Sequence, residues 1–591
     1  MCLWRILYQI HQLRLENPGV AILLSKLDFD SAYRRMSINF IFALMCTIVI
    51  GPLAYILCRL PFGVSPAAGI FSLLSDFVVD MAQALFEDPT WSPSTLNSPM
   101  AESLLSPVYL TGDFGIARPL LVDIEAKPLS ADVFIDDMIM VCLAFEKYIR
   151  KATNAIPLIL DAIFRPILNE TVTRQPILNA IKTMIEGRLE EIKTILGWLI
   201  NTRKLSIHLP KEKTEKWTSE INSMISNDLA GELTTEKNLE SMIGKLNHAA
   251  IVVSEGNHFL NRLRYRLKMI KLNRRQHGRL HPSEIKDLQL WILMLNFLKE
   301  GNVGRSFNHV LRTIPWILCI SDACEIGLGG YFIIGNWGFA WRFELPKELR
   351  GIFSINLLEF LGCYWTVQMV AELRNDSRFL SVTDSTNALY WMGKNKHNPI
   401  LFPLHDEVSR AFGKLWMKTN SSNERVHIAG ERNVISDSLS RDTHIPRSFY
   451  IQQLKRNNLT KDHLPNHFEI YAENEERLYS WLLQLKRMQT SKIPSPTQPA
   501  PSAVGTSIDG TSFFLKREKR ATPFSNQSQL KIDLEKATIS DVSSPSTGLT
   551  DLARRGKVRL APQPFAELSQ TLHRISKMKA TPIPLGTEEE N

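Results

Sequence analysis

Residues 131–143 read Ala-Asp-Val-Phe-Ile-Asp-Asp-Met-Ile-Met-Val-Cys-Leu. Two adjacent acids, Asp136 and Asp137, separate two short apolar runs rich in Val and Ile. The pattern predicts a β-hairpin with the carboxylates at or near its tip. Two neighbouring acids repel, and burying them is costly unless a cation or a donor compensates. Magnesium is the usual compensation, because it prefers hard carboxylate oxygens and keeps positions open for phosphate. Alone, the pair also fits an ordinary solvated turn.

Upstream, residues 1–25 predict an amphipathic helix (Leu3, Ile6, Leu7, Ile10, Leu13), a break at Asn17-Pro18-Gly19, and the entrance to an apolar strand. That strand ends in Lys26-Leu27-Asp28, followed by Phe29-Asp30-Ser31-Ala32-Tyr33. Asp28 beside Asp136 and Asp137 would give three acids from two elements, a plausible cage for two metal ions acting on phosphate. Pro61, Gly63 and Pro66 mark a turn feeding a helix with small residues on one face, although a simple loop-to-helix junction fits the same residues.

Taken together and in order, three stretches resemble the palm motifs of reverse transcriptases. They are Asp28 with Ala32-Tyr33, Leu60-Pro61-Phe62-Gly63 with Ser65-Pro66-Ala67, and Phe134-Ile135-Asp136-Asp137. The resemblance implies that Asp28, Asp136 and Asp137 hold two magnesium ions. It also implies that Tyr33 packs under the incoming sugar, and that Pro61, Phe62 and Gly63 lie against template and primer. Phe134 stands where many relatives carry Tyr, and the spacer before the third motif is long, with a Pro/Ser-rich stretch at 89–107 read as a surface insertion. Residues 151–215 resemble the closing palm strands and primer-grip hairpin. Residues 216–310 are mostly helical by period, and the basic run from Arg262 to Arg279 is read as a thumb or connection tracking duplex phosphates, or else as a solvated helix face.

From residue 312 the pattern changes. Residues 315–322 predict a buried strand ending in Asp322, and turns around Gly327–Gly330 and Gly335-Asn336 give a three-strand meander. A helix over 353–373 carries Glu359 beside its apolar stripe. Residues 379–384 form another strand ending in an acid, Asp384, and 427–441 form a strand, turn and helix start containing Asp437. This order resembles the ribonuclease H fold. The resemblance implies that Asp322, Glu359, Asp384 and Asp437 converge on two magnesium ions that cut RNA in an RNA–DNA hybrid. His427 is either a mobile partner in product release or an ordinary strand-end histidine.

The expected architecture is therefore an α+β palm/thumb polymerase with partial fingers, then an α/β ribonuclease H-like domain and a disordered tail. Its divisions are 1–215 palm, 216–310 thumb or connection, 311–446 ribonuclease H-like, 447–489 helical linker and 490–591 low-complexity tail. The expected function is that of a retroelement RNA-directed DNA polymerase (gypsy-like or tyrosine-recombinase type) joined to ribonuclease H. Its partners would be an RNA template, a DNA primer, RNA–DNA hybrid and deoxynucleoside triphosphates. Only 27 residues precede Asp28, so the fingers are expected to be mostly absent and the polymerase impaired. The alternative is a non-catalytic nucleic-acid-binding remnant of such an element.

Bulk properties agree with this reading. The net charge of +9 over 591 residues suits a polyanionic partner, though a chance excess of Lys gives the same value. The seven cysteines show no CxxC spacing, which argues against zinc or disulfides and for a cytoplasmic or nuclear setting. The uncharged stretch 38–58 is long enough for a membrane span, but Gly51-Pro52 divides it. It is read as two buried elements around a turn, with no membrane partner. Basic clusters at Lys516–Arg520 and Arg554–Arg559 could contact nucleic acid, direct nuclear entry or belong to a solvated linker.

Overall fold

The structure is a computed structural model. It describes residues 2–93, 104–164, 177–272, 276–334, 337–393 and 403–442, with shorter runs at 444–446, 448–450, 452, 467–471, 475–490 and 558–560. The Gly335-Asn336 turn, most of the tail and the Lys516–Arg520 cluster lie outside the described residues, as do Arg554–Lys557 of the second cluster and part of the 89–107 stretch. The fold is mixed α/β, and the chain forms two compact units. One is built mainly from Met1–Ile314 and the other from residues following Pro315.

In the first unit a three-stranded antiparallel sheet has Asp137–Leu143 at its centre, flanked by Ile22–Asp28 and Leu129–Phe134. Side chains alternate across its two faces, as a strand requires. Leu23, Leu27, Met138, Met140 and Cys142 share one core with the helices Ala67–Glu87 and Glu146–Phe164. Ile22, Leu24, Ile139, Val141 and Leu143 share the other core with the helix Cys2–Glu16. Arg5 pins that helix to the sheet through two 2.6 Å hydrogen bonds to the Asp132 carboxylate. On the second face the apolar residues give way towards one end to Lys26, Asp28 and Asp137. The sheet is thus dry along its length and charged at one tip.

Downstream, the strands Ile192–Ile195, Trp198–Asn201, Ser206–His208 and Arg305–Ser306 form a second sheet in that order. Four helices accompany it: Lys211–Leu229, Glu236–Ala249, Asn261–Leu272 and Pro282–Leu298.

The stretch 38–58 departs from its expected burial. It forms a short helix, Phe40–Met45, and a hairpin of Ile48–Ile50 with Leu53–Tyr55 turning at Gly51. Both strands are exposed throughout, and Val49 retains 70% of its surface. Two three-residue strands have too little area to cover themselves. Among the described residues one helix, Ala67–Glu87, has the length and composition to cross a membrane. Its Phe71, Val78, Ala82 and Phe86 are used in the core.

The second unit holds a six-stranded sheet in the order Ser422–His427, Arg378–Thr383, Ile317–Ala323, Gly327–Ile334, Trp337–Glu344 and His467–Tyr471. The middle meander is antiparallel, and Ile317–Ala323 runs parallel to Arg378–Thr383. The helix Ile355–Leu373 is buried along most of its length and lies close to the sheet at Gly362. A Cβ there would stand 3.4 Å from the Asp322 carbonyl. The helix Glu475–Thr490, expected as part of a linker, packs onto this unit. Arg477 donates two hydrogen bonds to the Glu372 carboxylate, and Trp481 stacks on Trp365.

Candidate active sites

The first site begins at the hairpin turn. Phe134 pairs with Asp137, leaving Ile135 and Asp136 as a two-residue loop. Ile135 sits at φ +59°, at the turn position that normally takes glycine. A β-branched residue there is strained, and the flanking ladders hold it in place. On the other side of the central strand Asp28 pairs directly with Asp137. Asp28 is buried, and Asp136 and Asp137 are half-buried.

Two lysines that the sequence reading did not single out complete this tip. Lys26 lies on the same strand face as Asp28, two residues earlier. Its ammonium is 3.1 Å from Asp137 and 2.9 Å from Glu186. Lys182, on the short helix Ala180–Glu186, is ion-paired with Asp28. Burial raises the Asp137 carboxyl above the usual carboxylate range; Lys26 opposes this, and the Asp136 and Asp28 charges reinforce it. The Asp28 bond and charge raise the Lys182 ammonium. These lysines were hidden because the first reads as part of a strand and the second lies more than 150 residues from its partner.

Tyr33 stands beside the acids on a one-turn helix, Ala32–Arg35. Its phenol is raised by partial burial and by the nearby Asp136 charge. Its ring meets Phe62 edge-on at 5.5 Å and Phe71 at 5.4 Å. Phe62 is 86% exposed, Pro61 is half-buried, and Gly63 takes φ +90° with open space around it. The turn therefore presents an aromatic surface next to the carboxylates.

Several cations of the basic run have partners within the fold. Arg262 is paired with buried Asp287, Arg266 with Glu284, and Lys271 with Glu240. Arg264 donates to the Asn247 and Asn261 side chains. The acids come from neighbouring helices and are invisible within the run itself. Asn273–Arg275 lie outside the described residues.

The second site gathers four acids from four elements. Asp322 is the penultimate residue of its strand, Glu359 lies in the first turns of the long helix, Asp384 follows the parallel strand, and Asp437 lies on the helix Val434–Arg441. Three of them are shifted by burial and by their neighbours. Burial pushes Asp322 up to about 7, the Ser440 hydrogen bond pulls it back, and the Asp384 and Asp437 charges push again. Burial also raises Glu359, with Ser385 opposing and Asp384 reinforcing. Asp437 is raised by burial and by Asp384 against Arg441, which lies 2.7 Å away. Buried Asn433 ties strands together, donating to the Ser321 carbonyl and to Asp384, each at 3.3 Å. His427 lies with Nε2 2.9 Å from the Asp384 backbone carbonyl.

By donor type both clusters fit a hard dication, since every ligand candidate is a carboxylate. As placed, the side chains are turned to lysine, arginine, serine and asparagine. Among the described residues no three His, Cys, Asp or Glu side chains close into a metal shell. All seven cysteines are free.

Neither a protein-family model nor a curated protein matches the chain. Solved structures do match. A foamy viral protease-reverse transcriptase in complex with RNA/DNA hybrid is 12% identical with a TM-score of 0.31, over 68% of this chain and 44% of that one. A foamy viral protease-reverse transcriptase dRH in complex with double-stranded DNA is 13% identical with a TM-score of 0.30, over 70% and 59%. Ribonuclease H1 from the archaeon Halobacterium salinarum NRC-1 is 13% identical with a TM-score of 0.18, over 22% of this chain and 98% of that one. This chain thus spans roughly half the length of the two viral proteins.

Proposed function

We propose that the chain is the RNA-directed DNA polymerase of a retroelement coupled to ribonuclease H. It would extend a DNA primer on an RNA template with deoxynucleoside triphosphates, and cleave the RNA of the resulting hybrid. One observation carries the reading: two separate carboxylate clusters, each including acids at strand ends, belong to two separate sheets, one in each compact unit. A single acidic turn is commonplace, whereas two charge-coupled clusters in the motif order described above are not.

Asp28, Asp136 and Asp137 would hold magnesium in the first unit, and Asp322, Glu359, Asp384 and Asp437 in the second. When bound, the ions would activate the attacking oxygen and stabilise the leaving one. The protein's own part is positioning. The paired strands fix Asp28 against Asp137, and the strained turn projects Asp136. Tyr33 and Phe62 offer an aromatic wall for a sugar and base. Lys26 and Lys182 pair with Asp137 and Asp28, carboxylates that would also hold the cation. Asn433 holds Asp384 in the second cluster. An intracellular setting, cytoplasmic or nuclear, accompanies this reading.

Purified full chain with magnesium should cut a hybrid and extend a primer, the extension impaired as the sequence leads one to expect, and chelation should abolish both. Tight nucleic-acid binding with neither activity would instead identify a non-catalytic remnant.

A further inference from the structure

We infer that Ser440 is a positioning residue of the second cluster, fixing the Asp322 carboxylate for a divalent cation. The inference rests on the nuclease reading and adds to it a residue outside the acid quartet. Ser440 is 1% exposed, and its hydroxyl donates to Asp322 Oδ2 at 2.7 Å. The same Oγ lies 2.9 Å from the backbone carbonyl of Asp437, so one hydroxyl joins two of the acid-bearing elements.

The serine is itself held from several sides. Its carbonyl accepts from Cys324 Sγ at 3.2 Å. The helix Val434–Arg441 rests on a glycine seat in the neighbouring strand. A Cβ at Gly329 would come within 2.6 Å of Ser440 N and of Leu439, and one at Gly327 within 2.5 Å of the Ser440 carbonyl. Side chains at those positions would lift the helix and carry the hydroxyl away from Asp322. The donated bond leaves the rest of the Asp322 carboxylate for a cation, and it limits rotation of the group before one arrives.

The test uses full-length protein carrying Asp136→Asn and Asp137→Asn, so that only the second cluster is followed. Free Mn2+ is counted by electron paramagnetic resonance, and hybrid cleavage is measured alongside. Ser440→Ala should weaken Mn2+ binding by about tenfold, the scale typical of a residue that orients a ligand. Ser440→Thr, which keeps the hydroxyl, should stay within about twofold. Ser438→Ala, on the same helix beside Tyr450, should bind as the parent does. Should Ser440→Ala fail to fold, Ser440→Cys, near-isosteric with a weaker donor, should show the loss. Unchanged binding in Ser440→Ala, or equal losses in Ser440→Ala and Ser438→Ala, would overturn the inference, as would a parent whose Mn2+ binding ignores Asp322→Asn. Ser440-dependent binding without any hybrid cleavage would uphold the positioning role while the nuclease reading fell.

Discussion

Asp322 carries the clearest pH signature. Its folded pKa of about 7 lies above the ordinary carboxylate value, so the folded state binds the proton more tightly than the unfolded chain. The resulting stabilisation is complete below pH 4 and is lost as pH rises to about 7, to a limit of about 4 kcal/mol. Denaturant unfolding of metal-free protein should therefore show stability falling across that window from this group, and Asp322→Asn should flatten the profile. An identical slope in the variant would assign the pH dependence elsewhere. Lys26 supplies a second residue-scale expectation. Replacing it by Met strips half-buried Asp137 and Glu186 of their common partner and should cost about 2 kcal/mol, less than a fully buried pair would. A loss below about 0.5 kcal/mol, the usual result for a surface pair, would contradict the placement of Lys26.

At the scale of elements, some features were legible in the sequence because they are local. Alternation marks the strands, and an acid ending an apolar run marks a strand end that faces solvent or a site, as at Asp28, Asp322 and Asp384. The features that were not legible depend on distant partners. The Arg262–Lys271 run reads as a row of cations, while the acids Asp287, Glu284 and Glu240 that pair with three of them come from other helices. Residues 40–55 are apolar enough to suggest a core, but composition does not say whether another element covers them. This gives a direct check: Val49→Lys should change stability by no more than about 0.5 kcal/mol, as at other exposed positions. A loss of several kcal/mol would restore the buried reading. The glycine seat gives the opposite expectation. Gly329→Ala meets backbone at 2.6 Å and should destabilise the second unit by about 1–3 kcal/mol in chemical denaturation. A neutral result would mean that the helix is free to move off the strand.

For the whole molecule, the two clusters belong to different sheets in different compact units, and no described cluster residue is shared between them. Their chemistry should therefore be separable by single substitutions. The most direct measurement is paired primer extension and hybrid cleavage by full-length protein with magnesium, set beside Asp136→Asn and Asp384→Asn. The expected result is a crossed loss: Asp136→Asn abolishes extension and spares cleavage, and Asp384→Asn does the reverse. Both activities surviving in both variants, or neither appearing in the unsubstituted protein, would contradict the assignment of two independent metal-dependent sites.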